Sequence, residues 1–305
     1  MKKLNQQGSH LIIGLLVFVV IGVVVFVGIK VTRSQNSSSQ LTAPESGAST
    51  VQWRYDESKK EYIVVSGTAP ECAEPFHFDR SPIDVSLATG VGLPGSYRSS
   101  GYKPHSGFRL DDSTDGSVEV VMPIDATLVG LTRYYEGEPA ELQYLLTFET
   151  DCGIAFRFDH LYTLAPAFQA IAETTPEPRL NDTRTNPDDA PDPVKFKAGD
   201  VVATRVGFPR VKNFGFDFGA YDYRSRNEIS GNAKWAAIHE QYSSLDWHGV
   251  CWIDMLPLAD VDKARQLTHV QIDTRKPLVR ISDYCKDAEY TTLDFNDGKQ
   301  PSQEL

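Results

Sequence analysis

The sequence predicts a mainly β domain with short helices, behind one hydrophobic N-terminal segment. Residues 51–66, 117–158 and 194–218 contain short segments that are apolar or alternate between apolar and polar residues, which is typical of strands. Residues 161–171 and 235–242 carry apolar residues at helical spacing. Of the 305 residues, 41% are hydrophobic, so the chain is long enough and apolar enough to bury a core.

The N-terminal segment from Leu11 to Ile29 contains nineteen residues without a charge, enough to cross a bilayer as a helix. No small-residue cleavage site follows it, which favours an anchor over a signal peptide. Three positive charges precede it and two follow it, which places the N-terminus inside. The sequence therefore predicts a single-pass membrane protein with a cytoplasmic leader (1–10), an anchor (11–30), a flexible linker (31–50) and an extracytoplasmic domain.

An alternative for the N-terminus is processing after Gly8, because residues 1–10 resemble a type IV prepilin leader. The sequence lacks the glutamate that pilins carry five residues after the cut. This alternative would make the chain a pilus-associated or structural surface protein.

The domain is acidic. The whole chain has a net charge of −11, and four of its thirty Lys and Arg residues flank the apolar segment. The rest carries 26 basic and 41 acidic residues, a charge of −15. Such a surface repels phosphate backbones, so nucleic acid is excluded as the expected partner.

The strands and helices can be assigned in order. A hairpin is expected within a lead-in at 51–80, and Ile83 to Leu87 alternates like a strand. Strands at 118–122, 126–135, 142–148 and 152–158 form an antiparallel meander, and a short helix follows His160. An exposed loop at 178–193 precedes strands at 194–196, 200–206 and 214–218. The extension 231–305 adds a helix near Trp235 and strands at 251–256 and 278–281.

The chain has four cysteines and no C-x-x-C motif, so a zinc ribbon is not indicated. In an extracytoplasmic domain an even number favours disulfides. Cys251 and Cys285 both flank strand-like segments of the extension and are the expected pair, with Cys72 and Cys152 as the companion pair.

Five sequence blocks occur in a fixed order between residues 102 and 219. They are YKPHSGFRLD (102–111), VVMPIDATLV (120–129), FDHL (158–161), KAGDVVA (197–203) and NFGFDFG (213–219). In this order they resemble the lysostaphin-type (LytM-like) zinc endopeptidases, which cut peptidoglycan cross-bridges. The resemblance implies an antiparallel, lipoyl-like β-sheet or barrel domain at 81–230.

The resemblance also implies a zinc site, and the chain departs from it at two blocks. His105 keeps the first ligand of His-x-Gly-x-Asp, but Arg109 stands at the aspartate position and a guanidinium does not bind zinc. Gly215 and Asp217 stand where His-x-His is expected. His160 keeps the position of the base-like histidine and is catalytic only if the enzyme is active. No cofactor is expected; an active enzyme would hold zinc through His105, Asp217 and a shifted Asp111.

The leading hypothesis is a degenerate domain that binds cell-wall glycan or peptide, or regulates another envelope protein such as a hydrolase. An active zinc peptidase is the alternative. Arg109 is expected to fill the space of the lost zinc and to bond Asp217. The residues expected to edge the cleft are Tyr97, Arg98, Tyr102, His105, Arg109, His160, Asp217 and Tyr221.

Overall fold

Most of the strands form where apolar and polar residues alternate. The computed structural model describes residues 51–98, 101–180, 182, 192–240, 243–269 and 282–285, all within one unit from Pro44 to Leu305. The strands are β1 (Gln52–Asp56), β2 (Glu61–Ser66), β3 (Gly90–Val91), β4 (Ser96–Arg98), β5 (Gly101–Lys103), β6 (Ser106–Arg109), β7 (Ser117–Val121), β8 (Ala126–Glu136), β9 (Glu141–Glu149), β10 (Ile154–Leu164), β11 (Arg179–Leu180), β12 (Val194–Phe196), β13 (Val201–Val206), β14 (Gly215–Asp222) and β15 (Thr268–His269). The helices are α1 (Pro166–Ala172), α2 (Ala233–His239), α3 (Ser244–His248) and α4 (Leu258–Gln266).

An 11-stranded sheet dominates the fold, with the order β11-β8-β9-β10-β14-β6-β3-β15 along its main path. β12 pairs with β8, and β13 joins β10 to β7. Small two-stranded sheets are formed by β1 with β2 and by β4 with β5. The mainly β class with short helices is confirmed. The sheet is mixed rather than purely antiparallel, because β11–β8 and β15–β3 are parallel, and over the described strands its path stays open and closes no barrel.

The two faces of the central strands have opposite character, because successive side chains of a strand point to opposite sides. On β10, Phe156 and Phe158 are fully buried on one face, and Arg157 and Asp159 lie on the other. On β14, Phe218 pairs with Phe158. The apolar face packs as an aromatic cluster whose rings meet edge to face or tilted, an arrangement that suits their quadrupoles.

Two expected strands are 3-10 helices, so those predictions were wrong. Residues Val85–Leu87 form one, and the Asp84 carboxylate accepts from the backbone N–H of Ser86 at its start. Residues Trp252–Met255 form the other. Their apolar run reflects burial, with Trp252 0% exposed, and a short buried run does not reveal its secondary structure by periodicity.

Some expectations fall outside the described residues: the leader, anchor and linker at 1–50 and the strand at 278–281. Among the residues described, no helix is both long and apolar enough to span a bilayer.

Both expected disulfides are present. Cys72 joins Cys152 across a sequence separation of 80, and Cys251 joins Cys285 across a separation of 34. The first ties the lead-in to the turn between β9 and β10. The second ties the C-terminal extension to itself beside the core. Disulfides persist in oxidising compartments, so they are consistent with an extracytoplasmic domain.

The hairpin of β1 and β2 packs over a half-buried carboxyl group, that of Glu149. Tyr62 of β2 stacks on Tyr223 with ring centroids 3.7 Å apart, and Tyr223 is hydrogen-bonded to Glu149 at the end of β9. Burial raises the pKa of Glu149 to about 7, although the Tyr223 hydroxyl opposes the shift. A carboxyl group therefore titrates near neutral pH under the hairpin.

Removing either disulfide should destabilise the domain. The Cys72→Ala/Cys152→Ala and Cys251→Ala/Cys285→Ala variants should each lose about 2–5 kcal/mol of unfolding free energy. The first pair should cost more, because it closes the longer loop. Urea unfolding of both variants measures this. The reverse order of the two losses would contradict the loop-length argument.

Glu149 should make stability fall with rising pH. The unfolded chain releases this proton near the ordinary pKa of 4.5 and the folded chain near 7, so rising pH favours the unfolded state across that window. The loss is about 1.4 kcal/mol for each unit of pKa difference. Urea unfolding at pH 5 and pH 8 should show a smaller fall for Glu149→Gln than for the wild type. The exposed Glu61→Gln variant should behave as the wild type; equal falls in all three proteins would refute the assignment.

Candidate functional site

The polar face of the central strands forms the candidate site. Arg157 of β10 lies opposite Gly219 of β14, and Asp159 lies opposite Asp217. Because their apolar neighbours point into the core, these side chains share the other face of the sheet. The same alternation that buries the phenylalanines therefore gathers the polar groups.

His105 and Asp217 come together at this face. His105 directly precedes β6, which pairs with β14 so that Gly107 lies opposite Asp217. The His105 Nε2 atom is 3.3 Å from the Asp217 Oδ2 atom, and each side chain is only 10% exposed. The structure thus joins two of the residues that the block pattern singles out.

Arg109 does not bond Asp217, so that prediction was wrong. Its guanidinium donates to the Oδ1 atoms of Asp111 and Asn213. The reason is its position: Arg109 ends β6 opposite Gly215, two residues along β14 from Asp217, and it turns to the exposed end of the strand.

Asp111 does not join His105 and Asp217. Its side chain is 52% exposed, and it binds Arg109 and the Thr89 hydroxyl. The suggestion that a bulge brings Asp111 into a metal site is therefore wrong in this structure.

His160 lies at an irregularity of β10. The register with β9 shifts between Phe158 and Leu161, and His160 has a left-handed backbone with φ of 59°. Such a conformation is strained for a non-glycine residue and is kept only where its surroundings enforce it. The His160 Nδ1 atom is 3.2 Å from the Tyr134 hydroxyl and 3.5 Å from a Glu136 carboxylate oxygen.

An ion pair between the partly exposed Arg157 and the buried Asp159 holds this end of the site. The Arg157 guanidinium donates to Asp159 Oδ2. The Tyr134 hydroxyl and the His160 backbone N–H both donate to Asp159 Oδ1. Burial favours the neutral acid, but the charges of His160 and Arg157 and the Tyr134 hydrogen bond hold the pKa of Asp159 below its usual value. Burial and the Asp159 charge raise the pKa of Tyr134, which keeps its proton and remains a donor.

The sequence reasoning missed Arg157, Asp159, Tyr134 and Glu136. A usable signal was present, because two charged residues alternate with phenylalanines in residues 156–159. Charged residues at alternate positions of an otherwise apolar central strand mark the face that is not core.

The remaining cleft candidates lie in different places. Tyr97 and Arg98 lie on β4. Tyr102 does not edge the cleft: it is 7% exposed, and its ring meets that of His239 on α2 at 4.2 Å. It belongs to the contact between the β4–β5 sheet and the C-terminal helices. Tyr221 is 1% exposed and is buried rather than at a rim.

The chain matches no known protein family, no curated protein and no solved structure in the comparisons made with it.

The residues present do not fit a three-ligand zinc site. Within the described ranges, no group of three or more His, Cys, Asp or Glu side chains is placed to hold a metal ion. His105 and Asp217 are adjacent, and Asp111, the third ligand of the zinc hypothesis, binds Arg109 instead.

Stability should depend on Arg157 and not on Arg109. Arg157→Met leaves the Asp159 charge buried without its guanidinium, which should cost about 3–5 kcal/mol of unfolding free energy. Arg109→Met, the matched control, removes a pair with an exposed partner and should cost less than about 1 kcal/mol. Urea unfolding measures both.

The Arg157→Met/Asp159→Leu double variant should regain part of the loss, because no unpaired charge then remains. A larger loss for Arg109→Met than for Arg157→Met would contradict the assignment of the ion pair.

Proposed function

We propose that this chain is a membrane-anchored, extracytoplasmic protein of the cell envelope whose domain is a degenerate LytM-like peptidase domain. In this proposal the domain binds the glycan or peptide of peptidoglycan, alone or while regulating an envelope hydrolase. The supporting observation is the contact between His105 and Asp217. These two residues stand at positions that carry metal ligands in the family the blocks resemble.

The side chains around His105 and Asp217 favour binding of a ligand over its hydrolysis. The aspartate position of the first block is Arg109, which is engaged with Asp111 and Asn213. The pair is flanked instead by Arg157 and Asp159, whose charges are matched to one another. A fixed network of donors and acceptors suits recognition of a polar ligand, because the side chains are already ordered before binding.

The proposed location rests on two features. The apolar segment from Leu11 to Ile29 is long enough to anchor the chain in the bacterial cytoplasmic membrane. The two disulfides are typical of a domain outside the cytoplasm.

The acidic domain surface makes nucleic acid an unfavourable partner.

Co-sedimentation with purified peptidoglycan sacculi tests the proposal on the detergent-solubilised full-length chain. The wild type should sediment with the sacculi, and Asp217→Asn should weaken binding about tenfold, equal to about 1.4 kcal/mol. The matched control Asp125→Asn changes the same group at an exposed position and should bind as the wild type.

Two results would contradict the proposal. A wild type that stays in the supernatant would exclude peptidoglycan as the ligand. Release of soluble fragments from the sacculi, abolished by His105→Ala, would favour the peptidase alternative.

A further inference from the structure

A groove at the C-terminal end of β14 lies apart from the polar site. It has a volume of about 700 Å³, and ligand pockets in proteins have volumes of roughly 300–1,000 Å³. Asp222, the last residue of β14, lines it. Asp217 of the polar site precedes Asp222 by five residues on the same strand, a distance of roughly 17 Å at about 3.4 Å per residue. We call this space the Asp222 groove.

The Asp222 groove has apolar surface that a ligand can reach. Phe76, Ile229 and Val250 line it and pack against the core, but all three are only partly buried. Apolar surface that stays in contact with water is unfavourable, and a ligand that covers it gains binding free energy. Exposed apolar surface within a groove therefore indicates a place where another molecule binds.

The side chains that line the groove carry an excess of negative charge. Five of the described lining residues are acidic and one is basic, a formal charge of −4. The basic residue is Arg224, which already pairs with Glu74 and Asp222. The acidic residues are Glu74, Asp222, Glu228, Asp254 and Asp283. Electrostatic complementarity therefore favours a positively charged ligand in this groove.

Two of these carboxylates are accessible and have capacity for further hydrogen bonds. Glu74 accepts from Arg224 through Oε1, and Asp254 accepts from Arg265 through Oδ1. The Glu74 side chain is 67% exposed and that of Asp254 is 43% exposed. Because an ionised carboxylate has about four acceptor positions, each group can also accept from a cationic group of a ligand.

The spacing of the acids distinguishes between kinds of cationic ligand. Over the part of the chain that the structure describes, no three His, Cys, Asp or Glu side chains are placed to share one metal ion. A ligand therefore needs several separated positive charges to meet them. A second copy of the chain is a poor candidate, because the domain itself has a charge of −15. A peptide that combines basic and apolar residues matches both the acids and the apolar surface.

We propose that the Asp222 groove binds a basic, partly apolar peptide segment of a partner protein. Lysine or arginine side chains of the segment pair with Glu74 and Asp254, and its apolar side chains cover Phe76, Ile229 and Val250. This inference goes beyond the proposed function, because it assigns a protein partner to a surface separate from His105 and Asp217.

Three short peptides with blocked ends test the chemistry of the groove on the detergent-solubilised full-length chain. Fluorescence anisotropy of the labelled peptide Lys-Val-Lys-Val-Lys should show saturable binding. Lys-Ser-Lys-Ser-Lys has the same charge without the apolar side chains and should bind at least about tenfold more weakly, because it covers no apolar surface. Glu-Val-Glu-Val-Glu should not bind, because its charge is reversed.

The Glu74→Gln/Asp254→Asn variant locates the binding site. It should bind Lys-Val-Lys-Val-Lys about threefold to tenfold more weakly than the wild type, as expected for the loss of two exposed ion pairs. The matched control, Glu57→Gln/Asp112→Asn, removes two exposed charges outside the groove and should bind as the wild type. Both variants should sediment with peptidoglycan sacculi as the wild type does.

Three results would overturn the inference. The first is a wild type that does not bind Lys-Val-Lys-Val-Lys, whether the groove stays empty or another part of the chain covers it. The second is equal binding of Lys-Ser-Lys-Ser-Lys, and the third is equal weakening in both double variants; either would mean non-specific attraction to an acidic surface. Failure of the wild type to sediment with sacculi would remove the proposed function and leave this inference standing.

Discussion

The ion pair between Arg157 and Asp159 is the interaction on which the polar face of the sheet depends. Two charges held two residues apart on a central strand lose most of their hydration, and only close pairing and further hydrogen bonds offset that loss. Here the Tyr134 hydroxyl and the His160 backbone N–H complete the shell of the carboxylate. The hydrogen bond from the His160 backbone N–H to Asp159 also fixes the irregularity of β10 at His160. The Arg157–Asp159 ion pair therefore orders the backbone as well as the side chains.

The polar site and the apolar core both follow from the alternation of side chains along β10, which places successive residues on opposite faces of the sheet. Phe156 and Phe158 fill the core, and Arg157 and Asp159 lie between them in sequence. A register change of one residue would exchange the faces, burying both charges in the aromatic cluster. The strand register is therefore specified by the cost of that exchange, and the position of His105 against Asp217 follows from it through the pairing of β14 with β6.

Secondary-structure elements with a clear hydrophobic periodicity could be predicted from the sequence. The directions of individual side chains could not. The antiparallel run from β8 to β10 was predicted, because alternation is a local signal. The expected pairing of the 118–122 strand with its successor was wrong, since β7 pairs with β13 instead of β8. Both cysteine pairs were predicted from an even cysteine count and from where the cysteines lie along the chain. Short apolar runs such as 251–256 were assigned to the wrong element. Arg109 was placed in the site by its motif position, yet Asp111 and Asn213 offer it nearer acceptors at the strand end. Motif spacing locates a backbone position and leaves the direction of a long, flexible side chain open.

The central claim is that the polar face holds a network of His105, Asp217, Arg157 and Asp159 rather than a metal ion. Elemental analysis of the full-length chain, purified after incubation with zinc and dialysed without chelator, tests it most directly. The account predicts well below one zinc per chain, unchanged in His105→Ala. One tightly held zinc per chain, lost in His105→Ala, would contradict it.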